Sequence, residues 1–214
     1  MSLVMSAQDD VGFGNVEALL IDLDGTLVDS SAPVGRAWSA FAIRHGLDPD
    51  EVQALAQGRP SRETVALLAP PADQTDEARE VERAETSDTD GIRALPGARA
   101  VLGSGRRVAI VTSCSQRLAE VRLRAAGLQA PEIVISGDDV AQGKPHPECF
   151  RLAAGRLGVP VSRCLALEDS PAGVRAARDA GVRVVALRTT HDDAALEQAD
   201  AIIDDLASLT GLIG

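Results

Sequence analysis

The sequence predicts an α/β fold: a doubly wound parallel sheet interrupted by a block made only of helices. Three observations carry this. Short apolar runs recur between helical segments, as in β-α-β units. Several of those runs end in acidic or hydroxyl residues, and in open α/β sheets ligands sit beyond the carboxyl ends of the strands. Finally, the stretch from about Ala32 to Ile92 carries helical signals and no strand signal, so it reads as an all-helical cap domain inserted into a Rossmann-like core.

Taken in order, residues 1–15 show no hydrophobic period and read as a disordered or expression-derived N-terminus. Ala18 to Ile21 is an apolar run too short for a helix and bounded by a turn signal, the pattern of a buried parallel strand. Ser31 to Pro33 is expected to break the chain. Val34, Ala37, Trp38, Phe41 and Ala42 then follow helical spacing, and Gly46 suits the left-handed residue that ends a helix. Pro49 to Gln57 gives a second helix. The turn from Gly58 to Glu63 offers Ser61 as the N-cap of a third, running to Leu68 and stopped by Pro70-Pro71. Thr75 to Glu85 is charged with few apolar positions, so a largely exposed helix is predicted, with Thr86 to Gly91 as a polar linker.

The α/β pattern resumes at Leu95-Pro96-Gly97-Ala98 with a short helix to about Gly103. Strands are predicted at Arg107 to Thr112, Glu132 to Ile135, Cys164 to Leu167, Val182 to Leu187 and Ala201 to Ile203. Helices are predicted at Gln116 to Ala126, Glu148 to Leu157, Pro171 to Ala180, Asp192 to Gln198 and Leu206 to Leu209. Gly127, Gly158 and Gly181 end the first three, and Pro171 suits a first helical turn. The core is therefore expected from residues 16–31 and 93–214, and the cap from residues 32–92.

A chain of 214 residues with 45% apolar content can bury one core domain and a smaller one. Aromatic residues make up only 2% and the formal net charge is −11. Base stacking and phosphate-backbone binding are both disfavoured by that balance, so no nucleic-acid partner is expected. A small phosphorylated ligand stays compatible, because a metal and local cations set the field inside a site. No stretch has the ~18 apolar residues of a membrane span, and no basic region leads into an apolar core as in a signal peptide. Cys114, Cys149 and Cys164 are odd in number and lack metal spacing; reduced thiols filling small core gaps in a cytoplasmic protein are the expectation. A monomer is the default.

Polar residues gather at four places: Asp22 and Asp24 after the first strand, Ser113 after the second, Lys144 in a Gly-Lys-Pro loop, and Glu168 and Asp169 after the fourth. Burying a carboxylate costs several kcal/mol unless it is compensated. A hard divalent cation such as Mg²⁺ takes oxygen ligands and commonly joins one or two carboxylates to a phosphate. No Walker or dinucleotide glycine loop is present, which weakens kinase and dehydrogenase readings.

Asp22-Leu23-Asp24-Gly25-Thr26, Ser113, Gly143-Lys144-Pro145-His146-Pro147-Glu148 and Leu167-Glu168-Asp169-Ser170-Pro171-Ala172-Gly173 together resemble the four motifs of the haloacid dehalogenase-like hydrolases across nearly the whole chain. The resemblance implies Asp22 as a nucleophile that forms an aspartyl phosphate, and Asp24 as the acid and base for the leaving oxygen and the attacking water. It implies Mg²⁺ held by the Asp22 side chain, the Asp24 carbonyl and Asp169, with Glu168 in an outer role. Ser113, the Cys114 backbone and Lys144 are expected to hold the phosphoryl oxygens, Lys144 also as a point cation beside Asp22. His146 is expected to be structural.

A cap between the first two motifs is similar to that of the subfamily holding β-phosphoglucomutase, phosphoglycolate phosphatase and the small sugar phosphatases. Arg36-Ala37-Trp38-Ser39, Arg44-His45-Gly46-Leu47 and Thr89-Asp90-Gly91-Ile92 look most like bacterial enzymes acting on hexose and sugar-alcohol phosphates. The mutases carry a His about twelve residues after the nucleophile, where this chain has Val34, which favours a hydrolase. Arg59 and Arg62 are candidate cap contacts to the substrate, and Trp38 is expected in the cap core. Phosphoglycolate phosphatase and β-phosphoglucomutase are the alternatives, followed by a non-catalytic phospholigand-binding protein.

Overall fold

The computed structural model describes residues 15–56 and 59–209. The chain runs β1 (Ala18–Ile21), β2 (Val28–Asp29), α1 (Ser31–His45), α2 (Pro49–Ala56), α3 (Ser61–Leu68), α4 (Gln74–Ser87) and β3 (Arg93–Ala94). It continues with α5 (Ala98–Leu102), β4 (Arg107–Val111), α6 (Gln116–Ala125), β5 (Ile133–Ile135), α7 (Glu148–Leu157) and β6 (Cys164–Glu168). The last elements are α8 (Pro171–Ala180), β7 (Arg183–Leu187), β8 (Ala201–Ile203) and α9 (Leu206–Leu209).

Six strands form one parallel sheet in the order β5-β4-β1-β6-β7-β8. β1 is central because all four of its residues are apolar and fully buried, which suits a strand covered on both faces. Successive side chains alternate between faces. Leu19 and Ile21 pack with Ile110, Leu165 and Leu167 against α5, α6 and α9. Ala18 and Leu20 pack with Ala109, Val111 and Ala166 against α7 and α8. The winding runs outward from β1 through β4 and β5, then restarts at β6 on the other side of β1. A crevice opens at such a switch point, and here it lies beyond Ile21.

Helices α1 to α4 enclose a separate apolar cluster of Trp38, Phe41, Ala42, Val52, Val65 and Val81. They form the helical cap expected from the sequence. Trp38 meets Phe41 edge-on at a centroid distance of 5.5 Å and is buried in that cluster. The chain enters and leaves the cap through a short antiparallel ribbon, β2 paired with β3. The Arg93–Asp29 ion pair at 2.5 Å and the Arg36–Asp88 pair at 2.7 Å span the two crossings. Among the described residues, no helix is long and apolar enough to cross a membrane.

Several local expectations are corrected. α1 starts at Ser31, with Pro33 inside its first turn, where a missing N–H costs nothing. Pro60, not Ser61, stands at the N-cap of α3. α4 takes in Thr86 and Ser87 from the expected linker, and it buries Val81 and Glu85. Residues 192–198 form turns instead of a helix: the Asp192 carboxylate accepts from the Ala195 N–H, and only Leu196 of the segment is buried. The β2–β3 ribbon was not expected, because two residues give no period. The expectations for residues 1–14, for Gln57 and Gly58, and for residues 210–214 lie outside the described residues.

Candidate active site

A cavity of about 210 Å³ lies between the carboxyl ends of the sheet strands and the cap. Asp22, Asp24, Ser113, Cys114, Lys144 and Asp169 line it from the core. Each reaches it for a local reason. Asp22 is the first residue after β1, and its N–H continues the ladder to the Leu167 carbonyl at 2.9 Å. Ser113 follows β4, where Ser115 caps α6 by accepting from the Leu118 N–H at 3.3 Å. Glu168 ends β6, and Asp169 sits between that strand and α8.

Lys144 enters from the β5–α7 loop and is 3% exposed. Its Nζ donates to Asp22 Oδ1 at 2.6 Å, to the Val111 carbonyl at 2.9 Å and to Glu168. An ammonium has three protons, so all of them are committed to protein acceptors. Burial opposes its charge, but Asp22 and then Glu168 outweigh burial and hold its pKa above the ordinary lysine value. Lys144 is thus a fixed charge behind Asp22.

The acids are under-compensated. Burial pushes the Asp22 carboxyl well above the carboxylate range; Lys144 opposes this, and Glu168 and Asp169 add to it. Burial and then the Glu168 charge push Asp169 up to about 7, against a hydrogen bond from Thr190. Carboxylate oxygens of Asp22, Glu168 and Asp169 lie within 4.8 Å of one another. Three acids against one ammonium leave an excess of negative charge in an all-oxygen donor set, which fits a hard divalent cation. Glu168 has the least freedom to ligate. One oxygen meets Lys144, and the other accepts from the Asp169 N–H at 3.2 Å and the Ser170 hydroxyl at 3.1 Å.

Two glycines make room. Gly25 adopts φ +82°, and a Cβ there would run into the Asp169 carboxylate. A Cβ on Gly173 would overlap the Glu168 carboxylate.

The other candidates are placed unevenly. Asp24 Oδ1 accepts from Ser30 Oγ at 2.6 Å and its Oδ2 from Arg122 at 2.6 Å. The Cys114 N–H, expected on a phosphoryl oxygen, instead donates to Thr112 Oγ1 at 3.2 Å. Burial pushes the Cys114 thiol up to about 12, so it is no nucleophile. Cys149 and Cys164 are buried, and all three thiols are free. Arg59 lines the cavity. Arg62 turns into a neighbouring groove, its Nη2 3.4 Å from the Gly137 carbonyl. Val34 lines the cavity. His146 is half-exposed and accepts from the Glu148 N–H. The sequence reading missed Glu85, Arg122, Thr190 and His191, which also line the cavity. Their only sequence signal is a polar residue on an otherwise ordinary helix or turn.

A sheet whose switch point gathers Asp22, Lys144, Glu168 and Asp169 under a helical cap defines a class, and a family model for haloacid dehalogenase-like hydrolases matches residues 16–181: the chain belongs to that family and is an enzyme of the hydrolase class. It is 40% identical to hexitol phosphatase A of Escherichia coli (strain K12), over 91% of this chain and 93% of that protein. It is 36% identical to validoxylamine A 7'-phosphate phosphatase of Streptomyces hygroscopicus subsp. limoneus, over 89% and 94%. Among solved structures, CbbY from Rhodobacter sphaeroides in complex with phosphate matches with a TM-score of 0.79 and 30% identity, over 91% of this chain and 96% of that one.

Proposed function

We propose that this protein is a Mg²⁺-dependent phosphatase that hydrolyses a small phosphate monoester, a hexose or sugar-alcohol phosphate, through an aspartyl phosphate on Asp22. The observation that carries the reading is the junction of Asp22 and Lys144 at 2.6 Å, beside Glu168 and Asp169, at the mouth of a cap-covered cavity. The relatives named for hexitol and validoxylamine phosphates support the substrate class.

Asp22, Asp169 and the Asp24 carbonyl would hold Mg²⁺, with Glu168 bracing Lys144 and the Asp169 backbone. Bound there, the ion supplies positive charge for the phosphoryl oxygens. The free oxygen of Asp22 attacks phosphorus while the bond to the leaving oxygen breaks, and Asp24 gives that oxygen its proton. The Asp24 carboxylate then takes a proton from water as the water oxygen attacks phosphorus. The bond to Asp22 breaks and phosphate is released. Lys144 opposes the protonation that burial favours at Asp22, and the Ser113 hydroxyl holds a phosphoryl oxygen. The cap excludes bulk water and, through Arg59, meets the substrate.

The test is phosphate release, with and without Mg²⁺, from hexose 6-phosphates, hexitol phosphates, glycerol phosphates, phosphoglycolate and β-glucose 1-phosphate, with Asp22→Asn alongside. Mg²⁺-dependent release from sugar or hexitol phosphates, lost in the variant, is expected. Full activity in Asp22→Asn, or isomerisation of β-glucose 1-phosphate without release, would overturn the reading.

A further inference from the structure

Asp24 is joined to the cap by two charged side chains that no part of this chemistry has yet used. Arg122, on α6, is 4% exposed, and so is Glu85, on α4. The guanidinium bridges two acids: Nη1 donates to Asp24 Oδ2 at 2.6 Å and Nη2 to Glu85 Oε2 at 2.7 Å. Taking an arginine and a glutamate out of water costs several kcal/mol per ion, and apolar side chains of similar volume would serve packing at least as well. The bridge therefore needs a reason beyond stability.

Its placement supplies one. Asp24 is gripped on its other oxygen by Ser30, the residue directly before α1. Glu85 belongs to α4, the last cap helix before the chain returns to the core. So the carboxylate is held from both the entry and the exit of the cap, once directly and once through Arg122. The guanidinium is a rigid planar fork; fixing the edge that meets Glu85 fixes the direction of the edge that meets Asp24.

We propose that Arg122 is a positioning residue for Asp24 and that Glu85 transmits the position of the cap to Asp24 through it. This rests on the reading of Asp24 as proton donor to the leaving oxygen. A displacement of the cap moves Glu85 and with it the fork of Arg122, while Ser30 holds the other oxygen at the entry to the cap, and the orientation of the Asp24 carboxylate follows. Proton delivery is thereby tied to the cap standing over a substrate.

The experiment compares two leaving groups. A hexitol phosphate releases an alkoxide that needs a proton, whereas p-nitrophenyl phosphate releases a phenolate that leaves without one. Leaving-group release is followed in a single turnover for wild type, Asp24→Asn, Glu85→Gln, Glu85→Ala and Arg122→Lys, each checked by its melting curve. In Glu85→Ala the rate on the hexitol phosphate should fall at least tenfold more than the rate on p-nitrophenyl phosphate, with KM changed less than about threefold. Glu85→Gln, which keeps an acceptor, should recover part of the loss, and Asp24→Asn should show the same leaving-group pattern in stronger form. Equal losses on both substrates, a rise in KM at unchanged turnover, or no change would each overturn the proposal. If Arg122→Lys does not fold, the two Glu85 variants decide. Failure of the phosphatase reading looks different: wild type would release neither leaving group, or Asp22→Asn would release both.

Discussion

Asp22 and Asp24 are separated by one residue, yet each meets its cation in a different way. Asp22 pairs with Lys144 from the β5–α7 loop, and Asp22, Glu168 and Asp169 come from strand ends of the same sheet. Asp24 pairs with Arg122, whose second partner Glu85 comes from the cap. The first cluster sets three acids against one cation and lies wholly in the core; the second sets two against one and joins two layers. An unbalanced cluster on a rigid sheet is suited to receive a ligand charge, and a nearly balanced one across a joint is suited to hold an orientation. The two carboxylates thus stand in different electrostatic settings because their neighbours come from different parts of the fold.

Removing the cation from each cluster should separate them most widely. Lys144→Met leaves two buried acids, Asp22 and Glu168, unpaired, so about 3–5 kcal/mol of stability should be lost in metal-free denaturant unfolding. Turnover should fall on the order of 10³-fold. Arg122→Met leaves one buried acid, Glu85, and the more exposed Asp24, which water can solvate, without their cation, so a loss of roughly half as much is expected. Equal losses in the two variants would erase the distinction between a ligand-receiving cluster and a joint.

Mg²⁺ itself sharpens the contrast. Asp169 has a folded pKa near 7, raised above the unfolded value by burial first and Glu168 second. At this group the folded metal-free protein therefore holds more proton than the unfolded chain between about pH 4 and pH 7, and the group's contribution to stability is lost as pH rises through that window. Metal must displace that proton, so Mg²⁺ affinity should climb up to about tenfold per pH unit below 7 and level off above it. Titrating Mg²⁺ by calorimetry from pH 5 to 8 checks this. A flat affinity would mean that Asp169 is ionised throughout.

Crowding of a single carboxylate comes next in size. Gly173→Ala pushes a methyl into Glu168, which Lys144 and Ser170 hold in place. A loss of about 1–3 kcal/mol is expected from such overpacking, with weaker Mg²⁺ binding. The Asp24 cluster lies elsewhere, so the ratio of hexitol phosphate to p-nitrophenyl phosphate cleavage should stay as in wild type. A changed ratio would couple the two clusters.

The same contrast governs what could be read from the sequence. Asp22, Glu168 and Asp169 were legible because strand ends of a parallel sheet converge: an acid after an apolar run marks both the strand and the place it points to. Lys144, in the β5–α7 loop, was legible only through the Gly-Lys-Pro motif of the family it resembles. The strand positions followed for the same reason, through continuous apolar runs such as Ala18–Ile21. Arg122 and Glu85 were not legible. A charge on a helix normally faces water, and only the packing of α4 against α6 buries these two against each other. α4 was read as largely exposed because its charges outnumber Val81 and Ala78, and Glu85 counted as one more of them. The turn at residues 192–198 was misread because Ala and Leu favour helix by propensity while the local Asp192 hydrogen bond wins.

Arg59 and Arg62 offer the smallest effect and a comparison within the cap itself. They sit three residues apart around the start of α3 and were equivalent candidates from the sequence. The geometry separates them: Arg59 faces the cavity shared with Asp22, and Arg62 faces the Gly137 carbonyl in the adjoining groove. A charge-assisted hydrogen bond to a substrate hydroxyl is worth about 1.5–3 kcal/mol. Arg59→Ala should therefore raise KM for a hexitol phosphate about tenfold, with turnover largely kept, because the contact binds ground state and transition state alike. Arg62→Ala should change KM less than about twofold, since its one contact to the core is long, 3.4 Å, and contributes little. Steady-state kinetics on the two variants decides it. Should Arg62→Ala carry the larger KM effect, the substrate would extend along the groove beside Gly137 instead of toward Arg59.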